Sequence, residues 1–205
     1  MNQFFLGLDL GQAADYTALA VLQADGYEQQ RTYQLRHLDR WRGVPYPKIV
    51  EKVRDVLLRM PPGSRLAFDQ TGVGMAVGDL IRAAKLGAPL DPISIHGGDR
   101  VAEEDGVYRV PKRDLIGVLC VMLETSRLKI ASGLSLARTL QEEARNFKVK
   151  IDAATAHDSY SSWRESEHDD LLLAVSMALW VGERHGVRVH AQAVRVAPSR
   201  FHRAF

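Results

Sequence analysis

The stretch Phe4-Phe5-Leu6-Gly7-Leu8-Asp9 decides the fold, because it is an almost unbroken apolar run that ends on a carboxylate. Such a run is typical of a central strand that is buried on both faces. A second run, Arg65-Leu66-Ala67-Phe68-Asp69, has the same form and also ends on an aspartate. A third acidic position, His168-Asp169-Asp170, lies at the start of a long apolar segment. The sequence therefore predicts acidic side chains at the ends of three buried elements.

These acids are expected to converge on metal ions. A carboxylate beside a hydrophobic core is costly unless a nearby group compensates its charge. If Asp9, Asp69 and Asp170 point at one place they need cations, and oxygen ligands suit Mg²⁺ or Mn²⁺. Two such ions about 4 Å apart form a known clamp for phosphoryl transfer. The leading interpretation is a nuclease with two divalent ions, in which these three aspartates are the catalytic residues.

The composition indicates a globular protein of one domain. The chain has 205 residues, of which 46% are hydrophobic and 25% charged, enough for a substantial core. The single cysteine, Cys120, excludes an internal disulfide, and its apolar neighbours predict a buried packing role. No uncharged run approaches the roughly 18 residues that span a bilayer, and the N-terminus lacks the basic region of a signal peptide. We therefore expect a cytoplasmic protein with no membrane segment.

The C-terminal segment 186–205 differs from the rest of the chain in its charge. It contains no Asp or Glu, although the net charge of the whole chain is only +2. Its candidate DNA-binding residues are Arg188, Arg195, Arg200 and Arg203. Such a segment could follow a phosphate backbone and gain affinity by releasing counterions, but an ordinary solvated terminus has the same composition. The predicted organisation is one domain over residues 1–185 and a basic tail over residues 186–205.

The order of the predicted elements indicates an α/β domain. An antiparallel meander opens the chain, and Asp25-Gly26 is its hairpin turn. Strands are predicted over residues 4–10, 16–22, 27–38, 64–68, 92–95 and 147–151. Helices are predicted over residues 47–60, 112–126, 135–147 and 166–184, and a turn at residues 71–74 leads into a further helix that ends at about residue 85.

This order, together with its motifs, resembles the nuclease domain of phage terminase large subunits, which is ribonuclease H-like. The matching stretches are Gly7-Leu8-Asp9-Leu10-Gly11 with Asp15-Tyr16-Thr17-Ala18, Phe68-Asp69-Gln70-Thr71-Gly72-Val73-Gly74, His168-Asp169-Asp170-Leu171-Leu172-Leu173-Ala174 and, more weakly, Val110-Pro111-Lys112-Arg113 and Leu140-Gln141-Glu142-Glu143. The resemblance implies a mixed sheet whose first three strands are antiparallel and whose later strands are parallel, flanked by helices.

The resemblance also implies a biological setting. The substrate would be double-stranded DNA, cut with little sequence preference during viral genome packaging in a bacterial host cell. Terminase large subunits carry an ATPase motor with the loop G-x-x-x-x-G-K-[ST], but this sequence has no Gly-Lys pair. The chain is therefore either an isolated nuclease domain or a free-standing relative, and its partners could include a separate packaging ATPase, a portal or a small terminase subunit.

Two acids compete for one role at the third motif. Ser166-x-x-Asp169 resembles a helix-capping box, which would give Asp169 a structural role. Asp170 lies about 100° further round the helix, so we favour Asp170 as the direct ligand and Asp169 as an alternate ligand or a neighbour of the ligands. His168 could contact phosphate or orient a carboxylate, or it could cap the helix.

Three further residues are candidates for the functional site, and each also has an ordinary structural interpretation. Asp15 follows Asp9 by six residues across a turn, so its carboxylate could return to the metal site or could stabilise the turn. Lys112 and Arg113 precede a predicted helix and could contact DNA phosphates, or they could form a solvated helix start.

Three other classes of function fit part of the pattern. A Holliday-junction resolvase would share the carboxylates and select branched DNA. An actin-like ATPase fragment would share the turn Asp9-Leu10-Gly11, but 205 residues leave little room for two lobes. A non-catalytic module that binds DNA or a packaging partner is disfavoured, because uncompensated acids would repel phosphate.

Overall fold

One mixed sheet with helices on both faces forms the protein. The computed structural model describes residues 3–12, 15–26, 30–71, 74–154 and 169–185. The strands are β1 (Gln3–Asp9), β2 (Tyr16–Asp25), β3 (Thr32–Arg42), β4 (Arg65–Asp69), β5 (Leu90–His96), β6 (Ala102–Glu104), β7 (Val107–Pro111) and β8 (Leu128–Ile130). The helices are α1 (Tyr46–Leu57), α2 (Gly74–Ala83), α3 (Lys112–Glu124), α4 (Ala137–Ala154) and α5 (Asp170–Arg184).

The first strand occupies the middle of the sheet. The strand order is β6-β7-β5-β4-β1-β2-β3-β8. β1 pairs with β2 antiparallel and with β4 parallel, β2 pairs with β3 antiparallel, and β5 lies parallel to both β4 and β7. The predicted mixed sheet, antiparallel in its first three strands and then parallel, is therefore confirmed, and the short edge strand β6 adds an antiparallel pairing with β7.

The alternation of side chains along β1 divides the core into two layers. Phe5 belongs to the layer that includes residues of α3, α4 and α5, whereas Leu6 and Leu8 belong to the layer that includes residues of α1 and α2. Gly7 allows α5 to lie close to β1, because a Cβ atom there would stand 1.9 Å from the carbonyl oxygen of Ala174. This close packing holds the start of α5 near the carboxyl end of β1.

Several boundaries differ from the sequence prediction. The third strand runs over Thr32–Arg42 rather than residues 27–38, and residues 27–29 lie outside the described part of the chain. Residues 147–151 are not an edge strand but continue α4, since an alternating pattern of five residues also fits one and a half helical turns. The short strands β6, β7 and β8 were not predicted. Cys120 is exposed rather than buried.

The last helix begins later than its sequence suggested. α5 starts at Asp170, and Asp169 is its N-cap residue with no side-chain capping hydrogen bond. Asp169 therefore does not occupy the third helical position that a capping box headed by Ser166 would require. Ser166 and His168 lie outside the described residues. Within the described ranges, no helix is both long enough and apolar enough to cross a membrane.

Candidate metal centre

Two aspartates lie side by side at the carboxyl ends of adjacent parallel strands. In the register of β1 and β4, Leu8 faces Phe68, so the next residues, Asp9 and Asp69, end neighbouring strands about 4.8 Å apart. Asp9 is only 8% exposed. The sequence prediction that these acids end buried strands is correct, and the sheet places them together.

Two more aspartates, at the start of α5, act electrostatically on Asp9. Burial raises the pKa of the Asp9 carboxyl well above its usual value of 3.8. Three neighbouring carboxylates raise it further through their negative charge, in decreasing order Asp69, Asp170 and Asp169. Asp9 therefore lies within electrostatic reach of Asp69, Asp169 and Asp170, and we call these four residues the acidic cluster.

Asp69 is held in place by the turn that follows its strand. The backbone N–H and the hydroxyl of Thr71 both donate to Oδ1 of Asp69, at 2.8 and 2.5 Å. The Thr71 hydroxyl oxygen in turn accepts a hydrogen bond of 2.6 Å from the N–H of Ile95. Burial raises the pKa of Asp69, whereas the Thr71 hydrogen bonds and the charge of Lys112 lower it in part. This chain of hydrogen bonds ties the carboxylate to the neighbouring strand β5.

Asp170 is paired with a largely buried arginine that the sequence did not single out. Nη2 of Arg40, on β3, donates to Oδ2 of Asp170 at 2.6 Å and lies 3.5 Å from Oε1 of Glu143, on α4. The Arg40 guanidinium carbon lies 3.9 Å from the centre of the Tyr16 ring. Oε2 of Glu143 accepts a hydrogen bond of 2.9 Å from the N–H of Leu172, in the first turn of α5.

Asp169 is paired with a lysine from the start of α3. Nζ of Lys112 donates to Oδ2 of Asp169 at 2.6 Å, and it lies 5.6 Å from the centre of the Phe147 ring. The side chains of both members of this ion pair are largely buried. The positive charge of Lys112 also lowers the pKa of Asp9. Lys112 thus lies beside the acidic cluster, and its side chain is not solvated as that of a residue at an exposed helix start would be.

Two other predicted site residues, Asp15 and Arg113, lie outside the acidic cluster. Asp15 is exposed and lines a cavity of about 270 Å³ with Trp41 and Tyr46. The pKa of the Tyr46 hydroxyl is raised mainly by burial and secondarily by the negative charge of Asp15. Arg113 forms an exposed ion pair with Asp99. The metal roles predicted for Asp15 and His168, and the DNA contacts predicted for Arg113, stay predictions. The arginines of the tail lie outside the described residues.

Comparison with solved structures identifies proteins that share this fold. The large terminase nuclease of thermophilic phage G20c, with bound zinc, matches with a TM-score of 0.56 at 19% identity, over 86% of this chain and 80% of that one. The P22 large terminase nuclease domain matches with a TM-score of 0.53 at 14% identity, over 89% and 83%. The human cytomegalovirus terminase nuclease domain, manganese-soaked and inhibitor-bound, matches with a TM-score of 0.51 at 16% identity, over 87% and 82%.

The fold is that of a terminase nuclease domain. It is ribonuclease H-like, as the resemblance in the sequence implied. No protein family model matches the sequence, and no curated protein matches it either. At identities of 14–19% the likeness establishes the fold of this chain, and its chemistry has to be argued from its own residues.

The donor atoms of the acidic cluster in this terminase nuclease fold suit hard divalent cations. All its donors are carboxylate oxygens, the ligands that Mg²⁺ and Mn²⁺ prefer. Among the described residues, no group of three or more His, Cys, Asp or Glu side chains is arranged to hold a metal ion. Arg40 and Lys112 instead supply the positive charge, through Asp170 and Asp169.

Glu143 should make the stability of the metal-free protein depend on pH. Burial, and secondarily the charges of Asp170 and Asp169, raise its pKa from 4.5 to about 7, against the lowering effects of the Leu172 N–H and Arg40. A raised carboxyl pKa means that the folded state binds more protons, so stability falls as the pH rises from 4.5 to about 7. In urea unfolding with EDTA, the free energy of unfolding of Glu143→Gln should increase relative to that of the parent across this pH range, by roughly 3 kcal/mol at most.

The control for this prediction is the neighbouring residue on the same helix. Glu142 is exposed and pairs with Arg138 one turn away, so Glu142→Gln should follow the pH profile of the parent. If the profiles of Glu143→Gln and the parent run parallel between pH 5 and pH 8, Glu143 is not a strained buried acid.

Proposed function

We propose that this chain is a divalent-metal-dependent DNA endonuclease of the terminase large-subunit type, which hydrolyses phosphodiester bonds. The observation that carries the proposal is the acidic cluster, because Asp69 on β4 and two aspartates at the start of α5 act electrostatically on the buried Asp9 of β1. Such a concentration of negative charge repels a DNA phosphate unless cations are bound. The fold shared with terminase nucleases, two of them described with zinc or manganese, supports the same function.

Asp9, Asp69 and Asp170 would hold the ions, with Asp169 as an alternate ligand. When bound, two Mg²⁺ or Mn²⁺ ions would activate a water and stabilise the leaving 3′ oxygen. Thr71 fixes the orientation of Asp69, and Lys112 fixes that of Asp169 at the start of α5. These contacts pre-organise the carboxylates, which reduces the rearrangement required when charge develops on the phosphate.

The setting of this activity is a second part of the proposal. Double-stranded DNA would be the substrate, and a separate packaging ATPase, portal or small terminase subunit would direct the cutting in a bacterial host. Lys112, Arg113 and the basic segment 186–205 would contact DNA phosphates, residues 1–185 forming the nuclease domain. The cytoplasmic location inferred from the sequence stays a prediction.

A panel of DNA substrates tests this proposal. With Mn²⁺ present, the purified chain should cut supercoiled plasmid and linear duplex of unrelated sequences at similar rates. A four-way junction should be cut no faster than a duplex of equal length. Preference for the junction by tenfold or more would indicate a resolvase instead. Binding of DNA without cleavage in Mg²⁺ and Mn²⁺ would indicate a non-catalytic module. Asp69→Asn is the matched control for contaminating nucleases.

A further inference from the structure

Arg40 and Glu143 form a buried pair that is incompletely bonded. The side chains of Arg40 and Glu143 are 13% and 4% exposed. Among the described residues, Nε of Arg40 and Oε1 of Glu143 are buried without a hydrogen-bond partner. A buried charged group that lacks a hydrogen bond is costly, so this arrangement needs an explanation.

The geometry offers Arg40 two alternative acceptors. Nη2 is bonded to Oδ2 of Asp170 at 2.6 Å, while Oε1 of Glu143 lies 3.5 Å away. A shift of about 0.7 Å would bring the second contact to the range of about 2.7–2.9 Å that is usual for charge-assisted hydrogen bonds. The face of the Tyr16 ring, 3.9 Å from the guanidinium carbon, favours the cation in either position.

Only one of these acceptors belongs to the acidic cluster. Asp170 is a proposed metal ligand, and the charge of Arg40 opposes a divalent ion on the same carboxylate. Glu143 is fixed by the N–H of Leu172 through its other oxygen, so it stays in place when Arg40 moves.

We propose that Arg40 is a positioning residue that occupies Asp170 when metal is absent and transfers to Glu143 when metal binds. The inference rests on the proposed function, because it assumes that Asp170 ligates a divalent ion. It assigns to Glu143 the role of receiving the displaced arginine. Arg40 thereby neutralises Asp170 in the metal-free protein. Glu143 lowers the free energy required to move Arg40 away from Asp170.

Binding of Mn²⁺ alone, followed by calorimetry, tests the transfer through a double-mutant cycle. Arg40→Gln should bind Mn²⁺ about tenfold more tightly than the parent, since a competing cation is lost. Glu143→Gln should bind about fivefold more weakly, because Arg40 then has no second carboxylate with which to pair. In the Arg40→Gln background the Glu143→Gln change should have almost no effect. Arg42→Gln and Glu142→Gln remove the same charges from exposed neighbours and should change affinity by less than about twofold.

The outcomes separate this inference from the proposed function. If Glu143→Gln changes Mn²⁺ affinity equally in the parent and in Arg40→Gln, Glu143 acts on the ion only through its charge. That result would overturn the transfer and leave the proposed metal site intact. Failure of the parent to bind Mn²⁺ would overturn both. Should a variant not fold, the Arg40 Nε–H resonance of the parent gives a second measurement: addition of Mg²⁺ should shift it, and an unchanged resonance at saturating Mg²⁺ contradicts the transfer.

Discussion

Replacement of Asp9 by asparagine is expected to abolish DNA cleavage and to stabilise the metal-free protein. Asp9 is buried where three other carboxylates raise its pKa. Loss of one charged ligand from a two-ion site removes several kcal/mol of transition-state stabilisation, which corresponds to a fall in rate of about 10³-fold or more. Single-turnover cleavage of plasmid DNA in Mn²⁺ measures this loss.

The gain in stability follows from the same electrostatics. Because the folded pKa of Asp9 lies above 3.8, the metal-free fold loses stability as the pH rises from 3.8 through that raised value. Asparagine keeps the shape of the side chain without the charge, so at neutral pH in EDTA the variant should gain about 1 kcal/mol, a rise in Tm of roughly 2–4 °C. A residue needed mainly for folding would lose stability instead.

Asp55→Asn is the matched control for Asp9→Asn. Asp55 is exposed on α1, so its replacement removes the same formal charge from the opposite helical layer. It should leave both the cleavage rate and the metal-free Tm close to those of the parent. If Asp9→Asn cuts DNA at the rate of Asp55→Asn, Asp9 holds no catalytic ion and the proposed site is wrong.

Removal of divalent cations should stop cleavage completely, and the choice of cation should matter. EDTA should reduce plasmid cleavage to background, and Mg²⁺ or Mn²⁺ added in excess should restore it, because carboxylates alone repel the scissile phosphate. Ca²⁺ should bind yet support little turnover, since its larger and looser coordination places the reacting groups poorly. Undiminished cutting in EDTA would contradict a metal mechanism.

Binding of the cation should also be visible without any reaction. Mg²⁺ and Ca²⁺ should each raise the Tm of the parent, because a ligand that binds only the folded state stabilises it. Asp9→Asn should show a much smaller rise than Asp55→Asn. This comparison distinguishes an inactive protein that binds metal from one that does not bind it.

The strands that carry the acidic cluster could be predicted because burial leaves a clear pattern. β1 and β4 are continuous apolar runs that end on Asp9 and Asp69, and their predicted bounds agree with the structure to within one or two residues. The short strands β6 and β8 could not be predicted, since most of their side chains are exposed and no apolar alternation marks them. The strand predicted over residues 147–151 was wrong, because a short alternation of apolar and charged residues can occur in a helix as well as in a strand.

The cations of the site were harder to find than its acids. Arg40 contacts Asp170 across 130 positions of sequence, so no local spacing indicates the pair.

The sequence does contain a pattern that indicates a role for Glu143. The spacing of Leu140, Glu143 and Phe147 places this acid on the apolar face of α4. A charged residue on such a face has a specific partner or carries a shifted pKa. Lys112 was identified, but its contact with Asp169 depends on tertiary packing.

The location of bound manganese tests the central claim most directly. Crystals of the parent soaked in Mn²⁺, with data collected at the manganese absorption edge, should show anomalous peaks about 2.0–2.2 Å from carboxylate oxygens of Asp9. Asp69 and Asp170 should complete the ligand set, with two ions about 3.5–4 Å apart. Ordered Asp9, Asp69 and Asp170 side chains with no manganese between them, at a concentration that supports cleavage, would contradict the proposed metal centre.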